Sequence, residues 1–325
     1  VDLLDRFRRR PKAELHLHLE GTLRAARYRA WSREDGASPE GGPLPSGGRF
    51  DDFRHFLERF ARGCRRIAKS PERIRTLVRD WARSARREGI VYAELTVSPA
   101  IFVRLGLPYD EWADALEEEL DRAAAAGVET RLILDVVRQW GAPHAAEVLE
   151  LQAKRPLRRA VAFGLAADET SVPAAVFGPF YEEARRMGLR TTVHAGEWGG
   201  PDSVWEALDL LAPDRIAHGI AAVRDPELLG RIVRERIPLD LAVTSNFRTG
   251  AVAPGEEHPV GRLVEAGARV TLSTDDPAYF GCTLPGEALR LVRRHRFSEA
   301  GVERILDRSF EVAFDREAAK RARNR

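Results

Sequence analysis

Cysteine is scarce: the 325 residues hold two, Cys64 and Cys282. Two thiols so far apart exclude a disulfide framework and a Cys-rich zinc knuckle. Nothing therefore calls for an oxidising compartment. No apolar run approaches the roughly 18 residues of a membrane-spanning helix, so no membrane partner is expected. The first ten residues are charged and lack a signal-type apolar stretch, so a cytoplasmic location is expected. One-sided charge is also missing. Lys+Arg at 52 against Asp+Glu at 50 leaves +2, which gives no footprint for a nucleic acid. Lysine occurs only at Lys12, Lys69, Lys154 and Lys320, an arginine bias of the kind that genome base composition produces. What is present is ample material for a core: 44% hydrophobic residues beside 31% charged ones exclude general disorder.

The clearest positive pattern is alternation. Short β-type runs are expected at 13–18, 91–97, 131–136, 160–165, 190–194, 215–217, 238–243 and 269–273. Helical patterns lie between most of them, at 71–88, 109–126, 145–153, 174–187, 203–211 and 226–235. Strand followed by helix implies parallel pairing through right-handed crossovers. Eight such strands predict a (β/α)8 TIM barrel of α/β class, a single domain over 1–325. The competing fold is an open doubly wound sheet. It wants a Gly-rich phosphate loop after the first strand, and Leu15–Glu20 offers none. The Pro/Gly-rich stretch 38–48 predicts a mobile loop, and the charged tail from Arg316 on predicts a helix or a frayed end.

Four histidines fall at strand ends. His16 and His18 are two apart in ELHLHLEG, and residues i and i+2 of a strand share a face. Taken alone, they could equally be two core or surface histidines. His194 ends the fifth strand, with Glu197 in the Gly-rich turn that follows. His218 follows the sixth. Asp275 and Asp276 follow the eighth in STDDPAYFG, where a solvated turn is the plain alternative. Barrel enzymes place their chemistry at this end. Zinc takes nitrogen and oxygen ligands and, when catalytic, keeps a position open. His16, His18, His194 and Asp275 form such a set, leaving Glu197 and His218 to handle protons.

The matching stretches extend the pattern: PKAELHLHLEGTL (11–23), YAELTVSP (92–99), HAGE (194–197), RIAHG (215–219), TSN (244–246) and STDDPAYFG (273–281). In these, and in their order, the chain resembles the adenosine deaminase family of the amidohydrolase superfamily. The resemblance implies a metal-dependent hydrolase barrel with one Zn2+ per chain, acting at C6 of an adenine-containing compound. It implies His16, His18, His194 and Asp275 as metal ligands. Glu197 matches the acid that protonates purine N1, and His218 the group that orients the attacking water and helps deprotonate it. Asp276 matches the partner of purine N7, and Ala167 stands where a glycine N–H would meet N3. That contact is expected to survive the alanine if its φ is negative. No lysine lies near strand four, so a second, lysine-bridged metal is not expected. The other zinc-deaminase type, with P-C-x-x-C, is excluded by the cysteine count.

Substrate choice turns on a few positions. Glu20 stands where adenosine-specific members carry Asp at the ribose 5′-hydroxyl, a pattern nearer to members acting on adenine or on 5′-modified nucleosides. VTSNFRTGA (243–251) is nearer to nucleoside-type members. ILDVVRQWG (133–141) and GPDSVWEAL (200–208) are similar to members assigned to 6-aminodeoxyfutalosine, whose 5′ substituent bears a carboxylate. Arg24, Arg66 and Arg138 are the candidates to meet it, although each could be structural instead. The expected partner is a small purine nucleoside, with adenosine or 2′-deoxyadenosine as the main reading and 6-aminodeoxyfutalosine as the alternative. Adenine, a different amidohydrolase reaction on an amide or lactone, and a catalytically silent purine binder rank lower. The aromatic helix at Phe53, Phe56, Leu57 and Phe60 is either a lid, within a helical insertion at about 25–85, or a face packed on the barrel. Trp198 and Trp205 either line the pocket or pack. A homo-oligomer fits the sequence as well as a monomer.

Overall fold

The structure, a computed structural model, describes residues 2–43 and 50–325. Eight parallel strands run in chain order: β1 (Lys12–His18), β2 (Ile90–Val97), β3 (Glu129–Val137), β4 (Ala160–Ala166), β5 (Arg190–Ala195), β6 (Arg215–His218), β7 (Pro238–Leu241) and β8 (Arg269–Leu272). The seam between β8 and β1 is stitched just past β8. There Asp275 N–H donates to His16 O at 3.1 Å and His18 N–H to Asp275 O at 3.0 Å. This is the expected (β/α)8 barrel and not the open sheet.

Local chemistry explains the crossovers. The helix Pro71–Glu88 starts with Pro at its first turn and buries Ile74, Leu77, Val78, Trp81, Ala82 and Ala85 at helical spacing. It stops at Gly89, whose φ of +72° ends it in the left-handed conformation. A Cβ there would lie 2.2 Å from Arg8 O, so the position is closed to larger residues. The tail is helical over Arg316–Arg323, capped by Asp315 Oδ1 accepting from Ala318 N–H at 2.9 Å.

Charges are sealed into the barrel interior. Arg215, 1% exposed, donates to Glu94 Oε2 at 2.6 Å and also pairs with Asp240. Tyr92 Oη–H donates to Glu94 Oε1 at 3.0 Å. Buried charges persist only when paired and hydrogen-bonded, as here.

Two expectations shift. β7 ends at Leu241, and Val243–Thr249 is a helix rather than the end of a strand. Its first N–H groups are held by Glu287, which accepts from Thr244 N–H at 2.8 Å. That partner is 43 residues away, so the apolar run alone reads as strand. Of the stretch 38–48, residues 44–48 lie outside the described residues. Its first part is tied down by Tyr28 Oη donating to Glu40 O at 3.0 Å. No described helix is long and apolar enough to cross a membrane.

Candidate active site

The strand ends bring the predicted ligands together. The ligand atoms of His16, His18, His194 and Asp275 all lie within 4.8 Å of one another. His194 Nε2 is 3.1 Å from His16 Nε2 and 3.4 Å from His18 Nε2. Asp275 Oδ1 is 3.3 Å from His16 Nε2 and 3.4 Å from His18 Nε2. Metal–ligand bonds near 2.0–2.1 Å in tetrahedral array place ligands about 3.4 Å apart, so these separations fit a divalent ion. His194 Nδ1 sits 3.1 Å from Leu165 O, an acceptor, so the proton lies there and the Nε2 lone pair faces the centre. Ser245 Oγ–H donates to Asp275 Oδ2 at 2.7 Å and turns Oδ1 toward the imidazoles. Burial, reinforced by the neighbouring imidazoles, holds His194 well below the usual histidine range. Burial also pulls His18 down to about 4. With their Nε2 atoms this close, the imidazoles need a shared proton or a cation between them. The arrangement could hold a metal ion.

The expected proton-handling groups lie beside it. Burial, with the Asp275 and Glu169 charges added, pushes Glu197 well above the carboxylate range. Its Oε1 accepts from Asn246 Nδ2 at 3.2 Å, and its Oε2 is 3.5 Å from His218 Nε2. Asp276 is raised likewise, by burial and then by Asp275, and its Oδ1 has no hydrogen-bond partner. Gly21 allows its close approach, because a Cβ there would meet Asp276 Oδ1 at 1.9 Å. Ala167, His218 and Asp275 have φ of +75°, +66° and +64°. Such backbone costs about 1–3 kcal/mol each in a non-glycine residue and clusters where function requires it. The condition set for the N3 contact, a negative φ at Ala167, is thus not met. The alanine instead holds the left-handed path a glycine would take.

A cavity of about 1060 Å³, counted out to its mouth, opens over this centre. His18, His194, His218, Glu197, Asp275, Asp276 and Ala167 all reach its wall. Phe53, Phe56, Leu57 and Phe60 form its apolar side, while Phe56 also packs on Phe280 at 5.1 Å. The aromatic helix (Phe53–Ile67) therefore both lines the pocket and packs on the barrel mouth. Trp198 stacks near Phe53 at 5.4 Å, and Trp205 donates to Asp225 Oδ2 at 2.8 Å; neither lines the cavity.

Glu20 does not reach the wall. It is buried behind Ser98, whose N–H donates to its Oε1 at 3.2 Å, and burial lifts it to about 7. The three candidate arginines also point elsewhere. Arg66 pairs with Asp35 at 2.7 Å, Arg138 donates to Glu169 O at 2.6 Å, and Arg24 lies exposed against Ser84. Arg65 and Arg104 line the cavity in their place.

Sequence reasoning also missed several supports. Asp135 is a buried acid on the cavity wall, marked in the sequence only as one acid inside the apolar run of β3. Glu169 accepts from Glu197 N–H at 3.0 Å and Trp198 N–H at 2.7 Å, and also from Gly196 N–H and Ser203 Oγ–H. It thereby shapes the turn that carries Glu197.

Comparison with known proteins agrees with this geometry. A family model described as adenosine deaminase matches residues 11–323. An aminodeoxyfutalosine deaminase of Streptomyces avermitilis is 36% identical over 319 residues, 96% of this chain and 88% of that protein. An adenine deaminase of Albidiferax ferrireducens is 32% identical over 321 residues, 96% of this chain and 91% of that protein. The crystal structure of an adenine deaminase from Arthrobacter aurescens matches with a TM-score of 0.88 at 28% identity, covering 97% of this chain and 98% of that one. The chain belongs to the adenosine deaminase family.

Proposed function

We propose that this chain hydrolytically removes the 6-amino group of an adenine-type ring, and that its substrate is a 5′-modified adenine nucleoside of the aminodeoxyfutalosine kind. The observation that carries the chemistry is one cavity in which a three-histidine, one-carboxylate metal centre faces two buried carboxyls, Glu197 and Asp276. On this reading the metal is one zinc per chain, and it supplies a Lewis acid that brings a water's pKa toward about 7.

The chain's own residues do the rest. Glu197, protonated at neutral pH, gives its proton to purine N1 and so makes C6 electron-poor. Asp276 hydrogen-bonds N7 through its unpartnered Oδ1. The Ala167 N–H meets N3. His218 orients the attacking water. A C6–O bond forms and the C6–N bond breaks; of the water's two protons one leaves with the amine as ammonia and the other restores Glu197, while N1 of the 6-oxo product keeps the proton Glu197 gave. Residues 1–325 act as one barrel domain, with the helices Ala25–Glu34, Phe53–Ile67 and Pro71–Glu88 as an insertion that keeps bulk water off the ring.

The choice of substrate departs from the main sequence expectation. The Streptomyces avermitilis relative supports the 5′-modified nucleoside over plain adenosine or 2′-deoxyadenosine. The Glu20 carboxylate is engaged by Ser98 N–H and does not form part of the cavity wall. Ile101, Leu105 and Trp140 also line the cavity, together with the guanidinium of Arg65, while Arg104 on the same wall is paired with Glu147 at 2.7 Å. An apolar wall carrying a cation suits an aromatic acid. Adenine is the second reading, favoured by the Albidiferax ferrireducens relative. The test is ammonia release from adenosine, 2′-deoxyadenosine, adenine and 6-aminodeoxyfutalosine, side by side on zinc-loaded protein. A kcat/KM highest for 6-aminodeoxyfutalosine is the expected result. One highest for adenine or adenosine overturns the substrate assignment.

A further inference from the structure

We propose that His258 and Asn246 are positioning residues that lock His218 in its Nε2–H tautomer, making it a hydrogen-bond donor to the reacting site. A backbone N–H, which can only donate, sets the direction of the chain. Val260 N–H reaches His258 Nδ1 at 3.1 Å, so that nitrogen carries a lone pair. Burial pulls His258 down to about 3, so the ring is neutral and its proton sits on Nε2. His258 Nε2–H then donates to Asn246 Oδ1 at 3.0 Å. This fixes the amide's orientation.

The amide nitrogen faces the other way. Asn246 Nδ2 lies 3.1 Å from His218 Nδ1 and 3.2 Å from Glu197 Oε1. An amide NH2 has two hydrogens and accepts nothing, so it donates to both. His218 Nδ1 is therefore the acceptor, and the ring proton is on Nε2. That N–H points between Glu197 Oε2, at 3.5 Å, and Asp275 Oδ2, at 4.0 Å.

Nothing nearby offsets an error in this chain. Asn246 is fully buried, and His258 and His218 are 2% and 1% exposed. Turning the amide over would set its N–H against the His258 N–H, two donors with no acceptor between them. Each unsatisfied buried group of that kind is strongly disfavoured. The consequence is a narrower role for His218. A nitrogen that already carries a proton cannot take one from the attacking water, so His218 orients that water and does not deprotonate it. The same amide holds Glu197 beside His218, so a single side chain sets the geometry of both.

The tautomer is a matter of geometry; its effect on turnover rests on the deaminase reading, and the two are measured separately. Zinc-loaded protein labelled with 15N-histidine is examined by long-range 1H–15N correlation, with His218 assigned by loss of its signals in His218→Gln. The expected wild-type pattern is Nε2–H. In Asn246→Asp the side chain only accepts, so His218 shifts to Nδ1–H. There kcat falls about 100-fold or more while KM moves less than about 3-fold. His258→Gln, which keeps a donor to Asn246, retains more activity than His258→Phe. An Nδ1–H pattern in the wild type overturns the proposal even if neither the Asn246 nor the His258 variants fold. So does an Nε2–H pattern that persists in folded Asn246→Asp.

Discussion

Glu197→Gln separates proton transfer from every other duty of the site. The carboxyl accepts at Oε1 from Asn246 Nδ2 at 3.2 Å, and glutamine keeps that oxygen. The amide NH2 replaces the protonated oxygen and still donates toward purine N1, but cannot release its proton. Binding and metal content should hold while turnover falls. General-acid catalysis contributes about 10²–10⁴-fold, or roughly 2.7–5.4 kcal/mol at 1.36 kcal/mol per decade. Steady-state ammonia release, with zinc measured on the same samples, gives kcat and KM. The same substitution has a stability signature of definite sign. Glu197 binds its proton more tightly folded than unfolded. Between the unfolded value, near 4.5, and the raised folded one, the folded state binds more protons, and stability falls as pH rises. Glutamine removes that loss. The variant should therefore melt above the parent at pH 7, and the gap should close as pH falls toward 4. A variant that keeps more than about a tenth of parental kcat refutes the acid role. A variant with no stability gain at pH 7 refutes the raised proton affinity.

Other outcomes follow from the same geometry. Dialysis against a strong chelator should abolish ammonia release, and one equivalent of zinc should restore it; His16→Ala or Asp275→Ala should lower bound metal in elemental analysis. Arg65→Ala should cost about 10–100-fold in kcat/KM for the carboxylated nucleoside, as a charged hydrogen bond of roughly 1.5–3 kcal/mol implies, and leave adenine turnover unchanged; equal losses on both would refute its role as anchor. Arg215→Met strands Glu94 and Asp240 in the barrel interior and should cost about 3–5 kcal/mol in urea unfolding.

The barrel was legible because strand and helix periods differ and alternate along the chain. The metal set was legible for the same reason: a strand puts His16 and His18 on one face wherever it folds, and parallel strands present their ends together. Other features were not. Arg65 and Arg66 are neighbours on one helix, and a turn of about 100° per residue sends one to the cavity and the other to Asp35. Composition cannot say which. The family resemblance puts Glu20 at the ribose, yet its carboxylate is taken up by Ser98 N–H from the next strand end.

Sequence by itself therefore determined the fold, the family and which side chains could hold a metal, because local periodicity and residue chemistry survive without knowledge of neighbours. Tertiary structure alone decided the left-handed backbone at Ala167, the isolation of Glu20 and the exchange of one arginine for another. It also decided the chain from Val260 through His258 and Asn246 to His218. The reason is physical. The direction of a hydrogen bond, and the protonation of a buried group, depend on which atoms arrive opposite it, and these arrive from distant parts of the chain.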